Sequence, residues 1–201
     1  MTIEAVIFDL DGTITQPYLD FDKIREELGL ARDAGPILEA LEGVPEAERL
    51  ECLELLRLRE AEAVDNSCLN PGARETLATL KTQGIPVAIL TRNTQDNARR
   101  VLRRHDLTVD LVVGREEEPL KPDPGGVFTI CRKLKAEPKK TLFVGDYLHD
   151  MLCAVAAGAI PVLLMSHDNA EAFRQHASFA IESLDEIVPI VRDYCIGGDH
   201  A

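Results

Sequence analysis

The chain has 201 residues, of which 45% are hydrophobic and 28% charged, a balance that is typical of globular proteins and excludes disordered and collagen-like classes. This length accommodates one sizeable core with a modest insert. Its 22 basic and 35 acidic side chains give a formal charge of −13, so we expect neither nucleic acid nor an anionic membrane surface as a partner.

The cysteines and the N-terminus indicate the compartment. Cys52, Cys68, Cys131, Cys153 and Cys195 are scattered, without a CxxC pair, which favours reduced thiols over disulfides or a zinc site. No basic leader precedes the first strand-like stretch, and no apolar run approaches the ~20 residues of a membrane span. We therefore expect a cytoplasmic protein.

Four apolar segments rich in β-branched residues, at 5–8, 86–90, 141–144 and 160–165, predict buried strands. The segments between them have helical periodicity and typical helix ends, such as Asp123-Pro124 at a start and Gly158 after the run 151–157. This alternation predicts an α/β fold with a Rossmann-like parallel sheet covered by helices on both faces. Ligands in such folds bind beyond the carboxyl ends of the strands.

One region interrupts the alternation, because residues 19–66 carry helical signals and no strand. Phe21, Ile24 and Leu28 recur at helical spacing, and similar patterns follow as far as a long Glu-rich segment. Asn70-Pro71-Gly72 then ends the helical pattern. We predict an all-helical insert at 16–70 within a core domain formed by 1–15 and 71–201.

Polar residues follow two of the predicted strands. Asp9 and Asp11 come directly after the first strand, and Asp146 follows the strand at 141–144, with Asp150 one helical turn later. If the two strands are neighbours, these four carboxylates crowd one cleft and repel one another. Carboxylate oxygens without histidine or cysteine favour a hard cation, so the sequence predicts a magnesium site.

Two further segments can meet an anion at the same edge of the sheet. Thr91 and Arg92 follow the strand at 86–90 and open a helix at 94–104, where unpaired backbone amides attract anions. Arg92 either contacts substrate or is a solvated residue at a helix start. Lys121, held by the following proline just before a helix, can supply a fixed positive charge.

In this order, DxDGT, a threonine, a lysine and GDxxxD resemble the four motifs of the haloacid dehalogenase-like superfamily, over essentially the whole chain. The resemblance implies that Asp9 attacks phosphorus and that Asp11 acts as general acid and base. It also implies Mg²⁺ bound by the Asp9 carboxylate, the Asp11 carbonyl and Asp146, with Asp150 in support. Thr91 and Lys121 would hold phosphoryl oxygens.

The same resemblance makes the insert a cap, although it is short for a helical cap of this family, and Tyr147 stands where a small residue is common. Arg25 and Arg32 in the insert are candidates for reading the leaving group. Other charged positions are interpreted as solvated surface: Arg99, Arg100, Arg103 and Arg104 on one helix face, the loop Glu116, Glu117 and Glu118, and His149.

The resulting prediction is a Mg²⁺-dependent phosphatase, a monomer or homodimer, acting on a small phosphorylated metabolite such as phosphoglycolate, a sugar phosphate or a nucleoside monophosphate. Three alternative functions are a dehalogenase, a phosphosugar mutase and a non-catalytic binding protein. A dehalogenase of this family lacks the second aspartate of DxD, so Asp11 argues against it. A phosphosugar mutase and a non-catalytic binding protein of the same fold both stay open.

Overall fold

A parallel sheet of six strands organises the molecule in the computed structural model, which describes residues 2–117 and 119–196. The strands are β1 Ala5–Phe8, β2 Val87–Leu90, β3 Leu111–Val113, β4 Thr141–Gly145, β5 Ile160–Leu164 and β6 Phe179–Ile181. Their order is β3-β2-β1-β4-β5-β6, with every pairing parallel. The strand order therefore reverses between β1 and β4, which is where open α/β sheets bind ligands.

Helices cover both faces of this sheet. They are α4 Ala73–Thr82, α5 Gln95–Arg104, α6 Gly125–Leu134, α7 Leu148–Ala157, the single turn α8 Ala170–Phe173, and α9 Ile187–Ile196, with α1–α3 in the insert. One face of β1 and β4, carrying Ile7 and Phe143, packs against α6 and α7. The alternate residues Val6 and Phe8 on the opposite face are equally buried. Burial on both faces explains why the inner strands are continuously apolar.

Local sequence fixes where the helices begin and end. The Thr94 side chain accepts a hydrogen bond from Asn97 N at the start of α5, and Asp123 Oδ1 accepts one from Gly125 N at the start of α6. The α6 helix thus begins one residue later than Asp123-Pro124 suggested. Gly158 ends α7 with φ +71°, a left-handed conformation that costs glycine little.

The segment Tyr18–Ser67 forms a compact unit of its own, and the chain on either side of it forms the other. The unit contains α1 Phe21–Glu27, α2 Ile37–Glu42 and α3 Glu46–Asp65. Its apolar centre includes Ile24, Leu41 and Leu56. The unit lies inside the predicted insert 16–70; its assignment as a cap domain stays a prediction.

Strands β3 and β6 were absent from the predicted set of strands. Each has three residues and lies at an edge of the sheet, where β6 is only half-buried. A run of three apolar residues is too short to distinguish a strand from a loop. In the described part of the chain no helix combines the length and the apolar character that crossing a bilayer requires.

Candidate active site

The carboxyl ends of β1 and β4 bring three aspartates together. Asp9 directly follows β1 and Asp146 directly follows β4; these strands are paired with Phe8 opposite Val144. Asp150 lies in the first turn of α7, which begins two residues after Asp146. One carboxylate oxygen from each aspartate lies within 4.8 Å of the other two, and all three residues are buried. The predicted Asp146/Asp150 pair thus shares one space with Asp9.

Lys121 enters this cluster from the loop between β3 and α6. Its Nζ donates hydrogen bonds to Asp9 Oδ1 and Asp150 Oδ1, each at 2.6 Å, and the side chain is only 4% exposed. The ammonium also lies 5.6 Å from the centre of the Phe143 ring. A buried lysine is costly unless it is paired, and here two carboxylates pair it.

The electrostatics of the cluster favour a further cation. Burial raises the pKa of Asp9 well above its usual range, despite the attraction of Lys121. Burial, with the nearby Asp150, raises the pKa of Asp146 to about 7. Burial also opposes the charge of Lys121, but Asp150 and Asp9 outweigh it and raise the pKa of the lysine. One ammonium does not balance three carboxylates, and their oxygen-only donor set fits Mg²⁺.

The turn after β1 fits tightly against Asp146. Gly12 has φ +88°, and a Cβ at this position would lie 2.3 Å from Asp146 Oδ2, so only glycine is accommodated. The neighbouring Thr13 donates a hydrogen bond from Oγ1 to Asp146 Oδ1 at 3.0 Å. The DxDGT sequence therefore supplies the shape of the turn as well as its aspartates.

Two residues that sequence reasoning did not single out hold this turn from outside. Asn70 Nδ2 donates to Gly12 O and to Thr13 O, each at 2.8 Å. Ser166, just beyond β5, donates from Oγ to Gly12 O at 3.0 Å. Asn70 was interpreted only as part of a helix-breaking Asn-Pro-Gly, and no signal in the sequence marked Ser166. Both side chains fix the carbonyl groups beside Asp11.

The polar residues after β2 contact Asp11 and one another. Asn93 Nδ2 donates to Asp11 Oδ2 at 3.1 Å, and Thr91 Oγ1 accepts from Asn93 N at 3.0 Å. Because Thr91 accepts here, its hydroxyl hydrogen remains as a donor for a ligand oxygen. Burial raises the pKa of Asp11, and the hydrogen bond from Asn93 opposes that rise. The environment of Asp11 therefore disfavours the ionised form of its carboxyl.

The predicted arginines occupy different settings. Arg92 is half-buried, and its guanidinium donates to the carbonyl oxygen of Lys121, so it is more than a solvated residue at a helix start. Within the insert, the Arg25 guanidinium binds Asp22 at 2.9 Å and the Gly35 carbonyl at 3.1 Å, and Arg32 is exposed. The roles of Arg25, Arg32 and Arg92 in substrate binding stay predictions.

Most of the charged residues that the sequence places at the surface are exposed in the structure, but Arg100 and His149 are half-buried. Arg99, Arg103 and Arg104 are exposed on α5, whereas Arg100 is half-buried and donates to Asn97 Oδ1. Glu116 and Glu117 are exposed, and Glu118 lies outside the described residues. His149 is half-buried and stacks edge-on with Tyr147. Cys52, Cys68, Cys131 and Cys153 are not joined in disulfides, and the Cys195 side chain lies outside the described part.

Comparison with known proteins points to one family. The family model for haloacid dehalogenase-like hydrolases matches residues 3–158. The uncharacterized hydrolase YOR131C of Saccharomyces cerevisiae is 31% identical, over 95% of this chain and 92% of its own length. A phosphorylated carbohydrates phosphatase of Thermotoga maritima is 30% identical, over 95% and 99%. The crystal structure of a predicted phosphoglycolate phosphatase from Haemophilus somnus superposes with a TM-score of 0.75, at 23% identity and over 94% and 97% of the two chains.

Proposed function

The chain belongs to the haloacid dehalogenase-like hydrolases and is of their phosphatase type, and we propose that it hydrolyses small phosphate monoesters through a phosphorylated Asp9. The observation that carries this proposal is the buried cluster of Asp9, Asp146, Asp150 and Lys121 at the switch point of the sheet. A phosphate dianion needs concentrated positive charge, and a nucleophile must stand beside it.

In the first proposed step a carboxylate oxygen of Asp9 forms a bond to phosphorus while the bond from phosphorus to the leaving oxygen breaks. Asp11 donates its proton to that oxygen, so the product leaves as a neutral alcohol. The raised pKa of Asp11, which results from burial, supports its role as the proton donor. Lys121 and the hydroxyl of Thr91 would hold phosphoryl oxygens and orient the phosphorus.

In the second proposed step water attacks phosphorus and Asp11, now a carboxylate, accepts the proton that the water loses. The bond from phosphorus to the Asp9 oxygen breaks, which regenerates the Asp9 carboxylate and releases inorganic phosphate. Asp11 thus returns to its protonated form, and the cycle converts one phosphate monoester and one water into an alcohol and inorganic phosphate.

Mg²⁺ is the cofactor that we propose for this site. The Asp9 carboxylate, the Asp11 backbone carbonyl and Asp146 would hold it, with Asp150 in support, which agrees with the buried oxygen cluster. When bound, the ion supplies positive charge that neutralises the carboxylates and the phosphoryl oxygens. Lys121 alone leaves the three carboxylates under-neutralised, which is the physical reason to expect a divalent cation.

The substrate class is proposed from the names of relatives. The relative from Thermotoga maritima acts, by its name, on phosphorylated carbohydrates, and it matches this chain over nearly its full length. Sugar phosphates are therefore the first candidates, followed by phosphoglycolate, which is the substrate in the names of other relatives. A cytoplasmic location and a monomeric or homodimeric state stay predictions.

The test is phosphate release from phosphoglycolate, sugar phosphates, nucleoside monophosphates and p-nitrophenyl phosphate, with Mg²⁺ or with EDTA. Asp9→Asn should abolish turnover, whereas Asp193→Asn, the same change at an exposed position of α9, should leave it unchanged. An acid quench during turnover should trap a phosphorylated Asp9 in the wild type. Full turnover in EDTA or in the Asp9→Asn variant would contradict the proposal. Isomerisation of a sugar monophosphate that requires a sugar bisphosphate would identify a mutase instead.

A further inference from the structure

Asn93 is a buried amide directly behind Asp11. It lies just after β2 and is only 5% exposed. Its Nδ2 donates to Asp11 Oδ2 at 3.1 Å, whereas its Oδ1 accepts from Thr94 N at 2.7 Å and from Asn97 Nδ2 at 3.0 Å. Both ends of the amide are therefore engaged.

These partners determine which way the amide points. Two N–H donors face Asn93 Oδ1, so a flipped amide would set N–H groups against N–H groups, and only one orientation satisfies the network. Asn97 is fixed in turn, because its Oδ1 accepts from Arg100 Nη1 at 3.3 Å. The result is a row of oriented donors from Arg100 through Asn97 and Asn93, which ends on the Asp11 carboxylate.

The position of the Asp11 carboxyl matters for the role proposed for it. Asp11 directly precedes Gly12, where the chain turns with φ +88°. A proton donor works only when it lies within hydrogen-bond reach of the leaving oxygen. A misplacement of about 1 Å can cost about 100-fold in rate. The amide of Asn93 holds Asp11 Oδ2 by a hydrogen bond of 3.1 Å.

We infer that Asn93, held by Asn97, is a positioning residue that aims the Asp11 carboxyl at the leaving oxygen. This inference rests on the proposed function, which makes Asp11 the general acid and base. A purely structural role is the competing explanation, since Asn93 Oδ1 also binds Thr94 N at the start of α5. That role would change the stability of α5, but it would affect all substrates alike.

The leaving group distinguishes these two explanations. An alkyl phosphate has a poor leaving group and needs the proton from Asp11, whereas p-nitrophenyl phosphate releases a stable anion and needs it far less. The first step is isolated by measuring leaving-group release in a single turnover with enzyme in excess. The variants are Asn93→Ala and Asn97→Ala, with Asp96→Ala, an exposed change in the same turn of α5, as the control.

We expect Asn93→Ala to slow release from the alkyl phosphate by about 10- to 100-fold and release from p-nitrophenyl phosphate by less than about threefold. In separate steady-state assays of phosphate release, KM should change by less than about threefold for both substrates. Asn97→Ala removes one of the two hydrogen bonds that Asn93 Oδ1 accepts. This variant should show the same difference between the two substrates, with a smaller loss of rate. Asp96→Ala should alter neither rate.

Equal losses on the two substrates, or no loss on either, would overturn the inference. Thermal unfolding of each variant shows whether it folds; if Asn93→Ala does not fold, the selectivity of Asn97→Ala decides in the same way. Failure of the proposed function looks different, because the wild type itself would then release neither leaving group, and the inference would fall with it.

Discussion

Replacing Lys121 with methionine tests the electrostatic account of the site. Methionine fills the volume of the lysine stem but removes the ammonium that lies 2.6 Å from both Asp9 Oδ1 and Asp150 Oδ1. At an effective dielectric near 20, each of these attractions is about 6 kcal/mol, against a desolvation cost of several kcal/mol for the lysine. Breaking a buried pair by removing one partner typically costs about 3–5 kcal/mol. We expect a loss of that size in EDTA at pH 8.

The assay is urea unfolding in EDTA, followed by circular dichroism, at pH 5 and pH 8. The loss should be smaller at pH 5, because the raised pKa of Asp9 favours its neutral form more strongly at the lower pH. Lys133→Met is the matched control: Lys133 is 45% exposed and pairs with Glu117 at the surface, so its loss should stay below about 1 kcal/mol. Equal stability of the two variants, or full phosphatase activity in Lys121→Met, would refute the reasoning.

Two further predictions concern the turn after β1 and the metal-free site. Gly12→Ala should lower the free energy of unfolding by at least about 2 kcal/mol, because its Cβ would meet Asp146 and φ is +88°. Gly84 has φ +71°, and a Cβ there would have no atom within 4 Å. Gly84→Ala should therefore lose only the backbone cost of about 1 kcal/mol. A larger loss at Gly84 would contradict this. In EDTA the thermal stability should fall between pH 5 and pH 8. The folded pKa of Asp146, about 7, exceeds its usual value, so its contribution is complete at low pH and is lost as the pH rises through 7. Asp146→Asn should flatten that profile, and an unchanged slope in this variant would exclude Asp146 as the cause.

The sequence could predict the inner strands because burial on both faces makes them continuously apolar. Residues 5–8, 141–144 and 160–165 stand out for this reason and become β1, β4 and β5. The edge strands β3 and β6 lack that signal, since they are short and partly exposed. Strand order also follows from tertiary packing and not from local pattern. The sequence could therefore predict a shared site only if β1 and β4 were neighbours. The structure shows that they are paired.

Some residues of the site could be predicted from the sequence, and others could be found only in the structure. Asp9, Asp146 and Lys121 are recognisable because each directly follows a strand or precedes a helix, in an order that the family repeats. Asn70 and Asn93 act through amides that reach across 58 and 82 positions of the chain, to Gly12 O and Asp11 Oδ2 respectively. Asparagine near a helix start or a turn is common for local reasons. Only tertiary contacts separate these two from ordinary turn residues.

The protein can bind a phosphate substrate despite its formal charge of −13, because the surface charges and the charges of the site act over different distances. Surface carboxylates are screened beyond about 10 Å at 0.1 M salt, so a phosphate that has entered the cleft experiences mainly the groups lining it. There the dielectric is low, and the ammonium of the buried Lys121 acts on the phosphate at short range. Removing exposed acidic side chains should therefore raise the rate at which the anionic substrate associates, mostly at low salt. Removing Lys121 should instead lower the rate at which bound substrate reacts. The net charge of the protein therefore does not describe the local charge around the buried Lys121.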